Sequence, residues 1–269
     1  MKSPWVWIAV AVALGVGGYA YWQSRTITPQ APATATATPP PPAIADPIPR
    51  ILYPLPEPAG PRTLPALADS DTAMQETLAG LFGRESIARF FQLDEVARRF
   101  VATVDNLPRQ SVSQRLLPSK PVPGQFVVTD HGASAGAAGG MAINPDNYLR
   151  YGPYVRAAEG VEAKKLVAAY LHFYPLFQQA YVDLGYPRGY FNDRLVAAID
   201  DLLAAPDVAA AALVQPKVLY QFADPALESR SAGQKMMIRM GPANAARMKD
   251  KLRAIRREIL AVTTGVPKG

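Results

Sequence analysis

Between Lys2 and Arg25 the chain runs for 22 residues without a charge. Wound as a helix at about 1.5 Å per residue, that stretch reaches roughly 33 Å, enough to cross a hydrocarbon core of about 30 Å. Trp5 and Trp7 stand at one end, and Tyr19, Tyr21 and Trp22 at the other. Aromatic residues gather at both interfaces of a spanning helix in this way. The expectation is an uncleaved signal-anchor over residues 1–25. The competing reading is a cleaved signal peptide with Gly18-Tyr19-Ala20 as its small-x-small site, but the apolar run is longer than a usual signal core. A short stub before the run and a large domain after it place the N-terminus in the cytoplasm. In a bacterium this means an inner-membrane, single-pass protein with a periplasmic C-terminal domain.

Residues 26–65 follow as a proline-rich linker, with thirteen prolines between Thr26 and Leu67 and the run Pro39 to Pro42 at its centre. Proline lacks an amide proton and fixes φ, so this stretch is expected to be an extended spacer rather than helix or central strand. Residues 66–264 then form one soluble, mostly α-helical domain, large enough to need no disulfide or metal staple. Cysteine is absent, which excludes disulfides, thiolate chemistry and cysteine-ligated metals. The formal net charge of +6 is uneven: residues 230–269 carry ten basic and two acidic residues, residues 69–229 fourteen and eighteen. A body-wide nucleic-acid surface is not what this describes, so no nucleic-acid partner is expected.

Within the domain, Thr72 and Gln75 are placed as a capping box for a first helix ending at Gly83. Val96, Phe100, Val101 and Val104 line a second, stopped by Asn106-Leu107-Pro108. Residues 108–155 read as irregular, with Gln125 to Thr129 strand-like and Asn147 to Tyr154 a loop. A long helix from about Val161 to Leu184 contains Pro175, expected to kink it, and ends at Gly185. Asn192 is placed as the N-cap of the next helix, with a Phe191–Val196 staple. Val214 to Phe222 alternates as one short edge strand would, and Ser231 with Gln234 forms another capping box. A last helix, about Ala243 to Val262, sets Met248, Leu252, Ile255 and Ile259 on one stripe and Arg247, Lys249, Lys251, Arg253, Arg256 and Arg257 on the other faces. The expected architecture is mainly α: a transmembrane helix, a linker, and one helical-bundle-like domain with one or two short strands.

Few residues suggest chemistry. Gly132-Ala133-Ser134-Ala135-Gly136 matches the G-x-S-x-G elbow of α/β-hydrolases, but no helix start follows it and no βα repeats surround it. His131 and His172 show no metal-ligand spacing. Asp193 and Asp200 share a helix face, with Asp201 beside them; the plain reading is one carboxylate favouring the helix N-terminus and others in solvent. No catalytic residue, metal site or cofactor is expected.

Three further stretches carry a resemblance: Val101 to Arg109 (VATVDNLPR); Tyr174 to Tyr181 (YPLFQQAY) leading to Gly185-Tyr186-Pro187 and Phe191-Asn192-Asp193-Arg194; and Gln215 to Val218 (QPKV) with Ser231 to Lys235 (SAGQK) and Arg239-Met240-Gly241. In this order they resemble a bacterial envelope family catalogued as domain of unknown function 3014, over about residues 65–260. The resemblance implies the anchor-linker-domain architecture and supplies no activity. The polar motif members Asn106, Arg109, Gln178, Gln179, Asn192, Arg194, Lys217, Gln234 and Lys235 are either a shared surface or caps and buried groups. Most are expected to be structural. With Arg253 and Arg257 of the basic helix, they delimit the candidate interaction surface: Asn106, Arg109, Asn192, Arg194, Lys217, Gln234, Lys235, Arg253 and Arg257. Three functions stay open. The first is a non-catalytic envelope protein binding a protein or cell-wall partner. The second is an envelope hydrolase using Ser134 or Asp193/Asp200, and the third a sensor of anionic membrane through the last helix.

Overall fold

The computed structural model describes residues 50–57, 63–130 and 140–263. The chain divides into two units, Met1–Pro47 and Ile48–Gly269, and all described residues belong to the second. The expected anchor, most of the linker, His131 and Ser134 lie outside the described residues. Among those described, no helix is long and apolar enough to cross a membrane.

The core is helical. After a turn of 3-10 helix at Leu67–Asp69 come α1 (Asp71–Phe82), α2 (Arg84–Phe90) and α3 (Val96–Asn106). The chain continues with α4 (Asp146–Glu159), α5 (Ala163–Asp183) and α6 (Phe191–Leu203). It finishes with the short α7 (Pro225–Glu228), α8 (Ala232–Arg239) and the 21-residue α9 (Pro242–Val262). Helices α3, α5 and α6 bury their apolar stripes against one another, and Ile259 of α9 closes the same core. Its centre is aromatic: Phe177 stacks on Tyr170, Phe100 lies 4.9 Å from Phe177, and Phe191 is in ring contact with all three. Such pairs add about 0.5–1.5 kcal/mol each beyond the area they bury.

A second, smaller core lies under a four-stranded antiparallel sheet where one or two strands were expected. Strands β1 (Val128–Asp130), β2 (Met141–Ile143), β3 (Ala212–Val214) and β4 (Gln221–Phe222) are hydrogen-bonded in that order. Met141 pairs with Leu213, so β2 and β3 join segments on either side of α4 to α6. The stretch from Val214 to Phe222 is not one strand: β3 ends at Val214, and Gln215 to Tyr220 form a hairpin tip in which Gln215 donates to the Val218 carbonyl.

Three other expectations need correcting. Asn147 to Tyr154 is not a loop but the first half of α4, despite Gly152 and Pro153. Asn144 opens that helix by accepting from the Asp146 amide, and buried Asn147 and Val155 hold it down. Arg150 then donates to the carbonyls of Val122, Pro123, Gly124 and Gln125, ordering a segment with little regular structure of its own. Thr72 and Gln75 form no capping box. The helix begins at Asp71 with Ser70 at the N-cap, two residues before Thr72, and Gln75 instead reaches the Leu93 carbonyl at 2.6 Å. Lys249, assigned to an outer face, is buried: its ammonium reaches the Ala205 carbonyl at 2.7 Å and the Asp207 carboxylate at 2.6 Å.

Helix α8 docks end-on against α3. The Ala232 amide donates to the Arg109 carbonyl and the Gly233 amide to Leu107, which supplies partners for groups that a helix end leaves open. The approach is close, so that a side chain here would displace Leu202 and crowd the Leu107 carbonyl. A Cβ on Gly233 would lie 2.6 Å from Leu202 Cδ2 and 3.2 Å from the Leu107 carbonyl oxygen. Gly233→Ala is therefore expected to cost about 1–3 kcal/mol in urea unfolding, in line with overpacking of a close contact. An unchanged midpoint would contradict the docking geometry.

Candidate functional site

Two polar clusters sit where the motif stretches converge, and both include the start of α6. The first is centred on Asp105, in the last turn of α3, whose side chain is only 5% exposed. Its Oδ2 accepts from Arg109 Nη2 at 2.7 Å and from the Tyr186 hydroxyl at 3.1 Å. Its Oδ1 accepts from Arg194 Nε at 3.0 Å, while Arg194 Nη2 donates to the Asp105 backbone carbonyl. Arg109 Nη2 also donates to the Tyr186 oxygen at 2.5 Å. The Asp105 carboxylate, and after it Tyr186, raise the Arg109 pKa above its ordinary value. A carboxylate this buried is tolerable only because cationic donors meet both of its oxygens.

The second cluster holds the described end of the proline-rich stretch. The Asp193 carboxylate accepts from the amides of Leu52 and Tyr53, at 2.9 and 2.8 Å. Asn192 Nδ2 donates to the Tyr53 carbonyl at 2.8 Å, and the Leu55 amide donates to the Tyr190 hydroxyl at 2.8 Å. Asn192 is completely buried, and its Oδ1 takes the Tyr170 hydroxyl at 3.0 Å. It is thus not the expected N-cap: Tyr190 occupies that position, and the first amide of α6, on Phe191, is met by Gln178 Oε1 at 2.8 Å. Gln178 also donates to the Gly189 carbonyl, closing the loop between α5 and α6. Burial raises the pKa of Tyr170 well above the ordinary tyrosine value, and that of Tyr174 likewise, the latter helped by its hydrogen bond with Tyr190. Both hydroxyls therefore stay protonated as donors.

The remaining candidate residues scatter. Asn106 bonds back to the Ala102 carbonyl of its own helix. Gln234 is buried, donating to the Asp201 carboxylate and carbonyl, while Ser231 accepts from the Gln234 amide as the expected cap. Lys235 pairs with Glu228 at 3.1 Å and Arg253 with Asp250 at 2.7 Å. Arg257 and Lys217 are exposed. Asp193 and Asp200 have separate commitments, since Asp200 accepts from Arg256 Nε at 2.6 Å. Arg247 pairs with Glu159, and Lys251 donates to the Val161 carbonyl. Most of the basic side chains on α9 are thus occupied within the domain. Among the described residues no group of three or more His, Asp or Glu could hold a metal ion. Away from both clusters, the hairpin tip exposes Val218 by 85% and Leu219 by 76%, next to Lys217.

The side chains that make these clusters fall within the matched span of a family described as a protein of unknown function (DUF3014), which covers residues 96–256. The chain belongs to this family. No curated protein and no solved structure matches it. The DUF3014 span takes in Asp105, Arg109, Tyr186, Asn192, Asp193 and Arg194, and Leu52 to Leu55 lie before it.

Sequence reasoning picked Arg109, Asn192 and Arg194 but missed Asp105, Tyr186 and Tyr190, though the first two lay inside the quoted motifs. A charged residue in the last turn of an amphipathic helix usually faces water, and nothing local marks this one as buried. Leu52–Leu55 thus form a strap fastened by Asp193, and Asp193→Ala should leave cooperative unfolding intact. It should also speed hydrogen exchange at the Leu52 and Tyr53 amides about tenfold, matching the loss of bonds worth on the order of 1 kcal/mol. Unchanged exchange at both amides would contradict the seat.

Proposed function

We propose that this protein is a non-catalytic, membrane-anchored envelope protein of a bacterium, whose helical domain meets a protein partner in the periplasm. The anchor rests on the uncharged run from Ser3 to Ser24, with Trp5 and Trp7 at one end and Tyr19, Tyr21 and Trp22 at the other. The observation that carries the reading is the strap. Within the proline-rich stretch, Leu52, Tyr53 and Leu55 make four hydrogen bonds to Tyr190, Asn192 and Asp193. A tether attached in this way sets where the domain is held, as a presenting device requires.

The polar motif residues are consistent with this. Arg109 and Arg194 are spent on Asp105, Asn192 on Tyr53, and Lys235 on Glu228, while Lys217 is exposed and buried Gln234 Oε1 has no partner. The exposed apolar tip at Val218 and Leu219 offers a surface better matched to protein than to a polar cell-wall polymer. The hydrolase reading gains nothing from Asp193 and Asp200, which serve different partners, and the membrane-sensor reading loses most of the cations it relied on.

Photo-cross-linking in intact cells from positions 218 and 219, read out by mass spectrometry, tests the proposal. The expected result is one recurrent protein adduct that weakens when the other tip residue is changed to Ser. Recovery of polymer adducts alone, or of uncross-linked protein alone, would overturn it.

A further inference from the structure

A cleft of about 270 Å³ opens between the first half of α3, the end of α5 and the 3-10 turn at Gln114–Leu116. Small residues make room for it. Ala102 of α3 and Ala180 of α5 are buried, and their methyl groups leave space that a longer side chain would fill. Leu116 and Leu184 complete an apolar floor, and both remain open to water, at 37% and 44% exposed.

The rim carries both signs of charge. Arg98 stands 3.8 Å from the Asp183 carboxylate and 4.0 Å from that of Glu95, too far to hydrogen-bond either. Arg99 is spent on the Asp94 carboxylate at 2.5 Å and on the Arg115 carbonyl, which fixes the backbone of Arg115 at the cleft edge. The Arg115 side chain itself is exposed and has no partner among the described residues. Glu95 is held at the rim by a left-handed backbone, with φ of 49°. Asp71 secures that turn by accepting from the amides of Glu95 and Val96 at 2.7 and 2.9 Å.

A plain anion or a plain cation would gain one partner here and meet a like charge beside it. A zwitterion avoids that conflict. An α-amino acid carries its two charges about 3 Å apart across one carbon, close to the 3.8 Å between Arg98 and Asp183. Laid alongside that pair in the opposite sense, it supplies the hydrogen bonds that the two side chains do not make with each other. We propose that this cleft binds a free apolar α-amino acid. Its carboxylate lies on Arg98 and Arg115, its ammonium on Asp183 and Glu95, and its side chain on the floor at Ala102 and Ala180. The charges fix orientation, and the floor selects an apolar side chain. The site involves neither the anchor nor the hairpin tip, so it is independent of the function proposed above.

Isothermal titration of the full-length chain with L-leucine tests the site, with N-acetyl-leucine and leucinamide as ligands that each lack one charge. Leucine is expected to bind saturably at millimolar concentration, and each blocked form about tenfold more weakly. Asp183→Asn should weaken leucine about tenfold and leave N-acetyl-leucine unchanged, since that ligand has no ammonium to lose a partner. Asp183 is half exposed, and thermal melting checks that the variant remains folded. Arg115→Gln should weaken leucine and N-acetyl-leucine alike. Equal binding of leucine and both blocked forms would overturn the zwitterion assignment. No saturable binding of leucine, or binding that neither substitution alters, would overturn the cleft as its site.

Discussion

One buried carboxylate organises the joint between the helices. Asp105 ends α3, and its two oxygens are met by Arg109 from the following turn, Tyr186 from the loop after α5, and Arg194 from the first turn of α6. Desolvating a carboxylate costs several kcal/mol, and the two guanidinium groups recover this only while all four groups keep their places. The backbone is tied in as well. Arg194 reaches the Asp105 carbonyl, and the carbonyls of Leu107 and Arg109, just beyond α3, take the first amides of α8. Removing the charge at Asp105 would leave two cations facing a half-dry pocket and loosen three chain segments together.

The strap depends on this joint. Arg194 and Asp193 are neighbours in the first turn of α6, one turned to Asp105 and the other to the amides of Leu52 and Tyr53. Fixing the helix start through Arg194 and Gln178 therefore also fixes the receptor for the strap. This connects what the DUF3014 motif residues do for the fold to the proposed presentation of the domain. The side chains that looked like a binding surface in the sequence are largely holding helix ends, and the exposed hairpin tip remains available for contact.

Much of the helical layout was legible. Apolar spacing located α3, α5, α6 and α9 to within a few residues, because each buries one continuous stripe. Ser231 behaves as the cap its spacing suggested. What could not be read locally were partners far apart in the chain. Tyr186 and Arg194 lie 81 and 89 residues beyond Asp105, and Leu52 lies 141 before Asp193. Helix α4 was hidden by Gly152 and Pro153, which suggest a turn, whereas buried Asn147 and the Arg150 contacts override them. Lys249 was misplaced for a related reason: a long side chain on an amphipathic helix can turn inward when a carbonyl and a carboxylate await it.

The dependence of the fold on Asp105 is most directly tested by a double-mutant cycle with Arg194, using Asp105→Asn, Arg194→Met and the pair in urea unfolding. Residues sharing a buried network couple by about 0.5–3 kcal/mol, whereas independent sites add to within about 0.5 kcal/mol. Each single change is expected to be strongly destabilising and the double change far less costly than their sum. Strict additivity would mean that Asp105 and Arg194 act separately and that the joint does not depend on their contact.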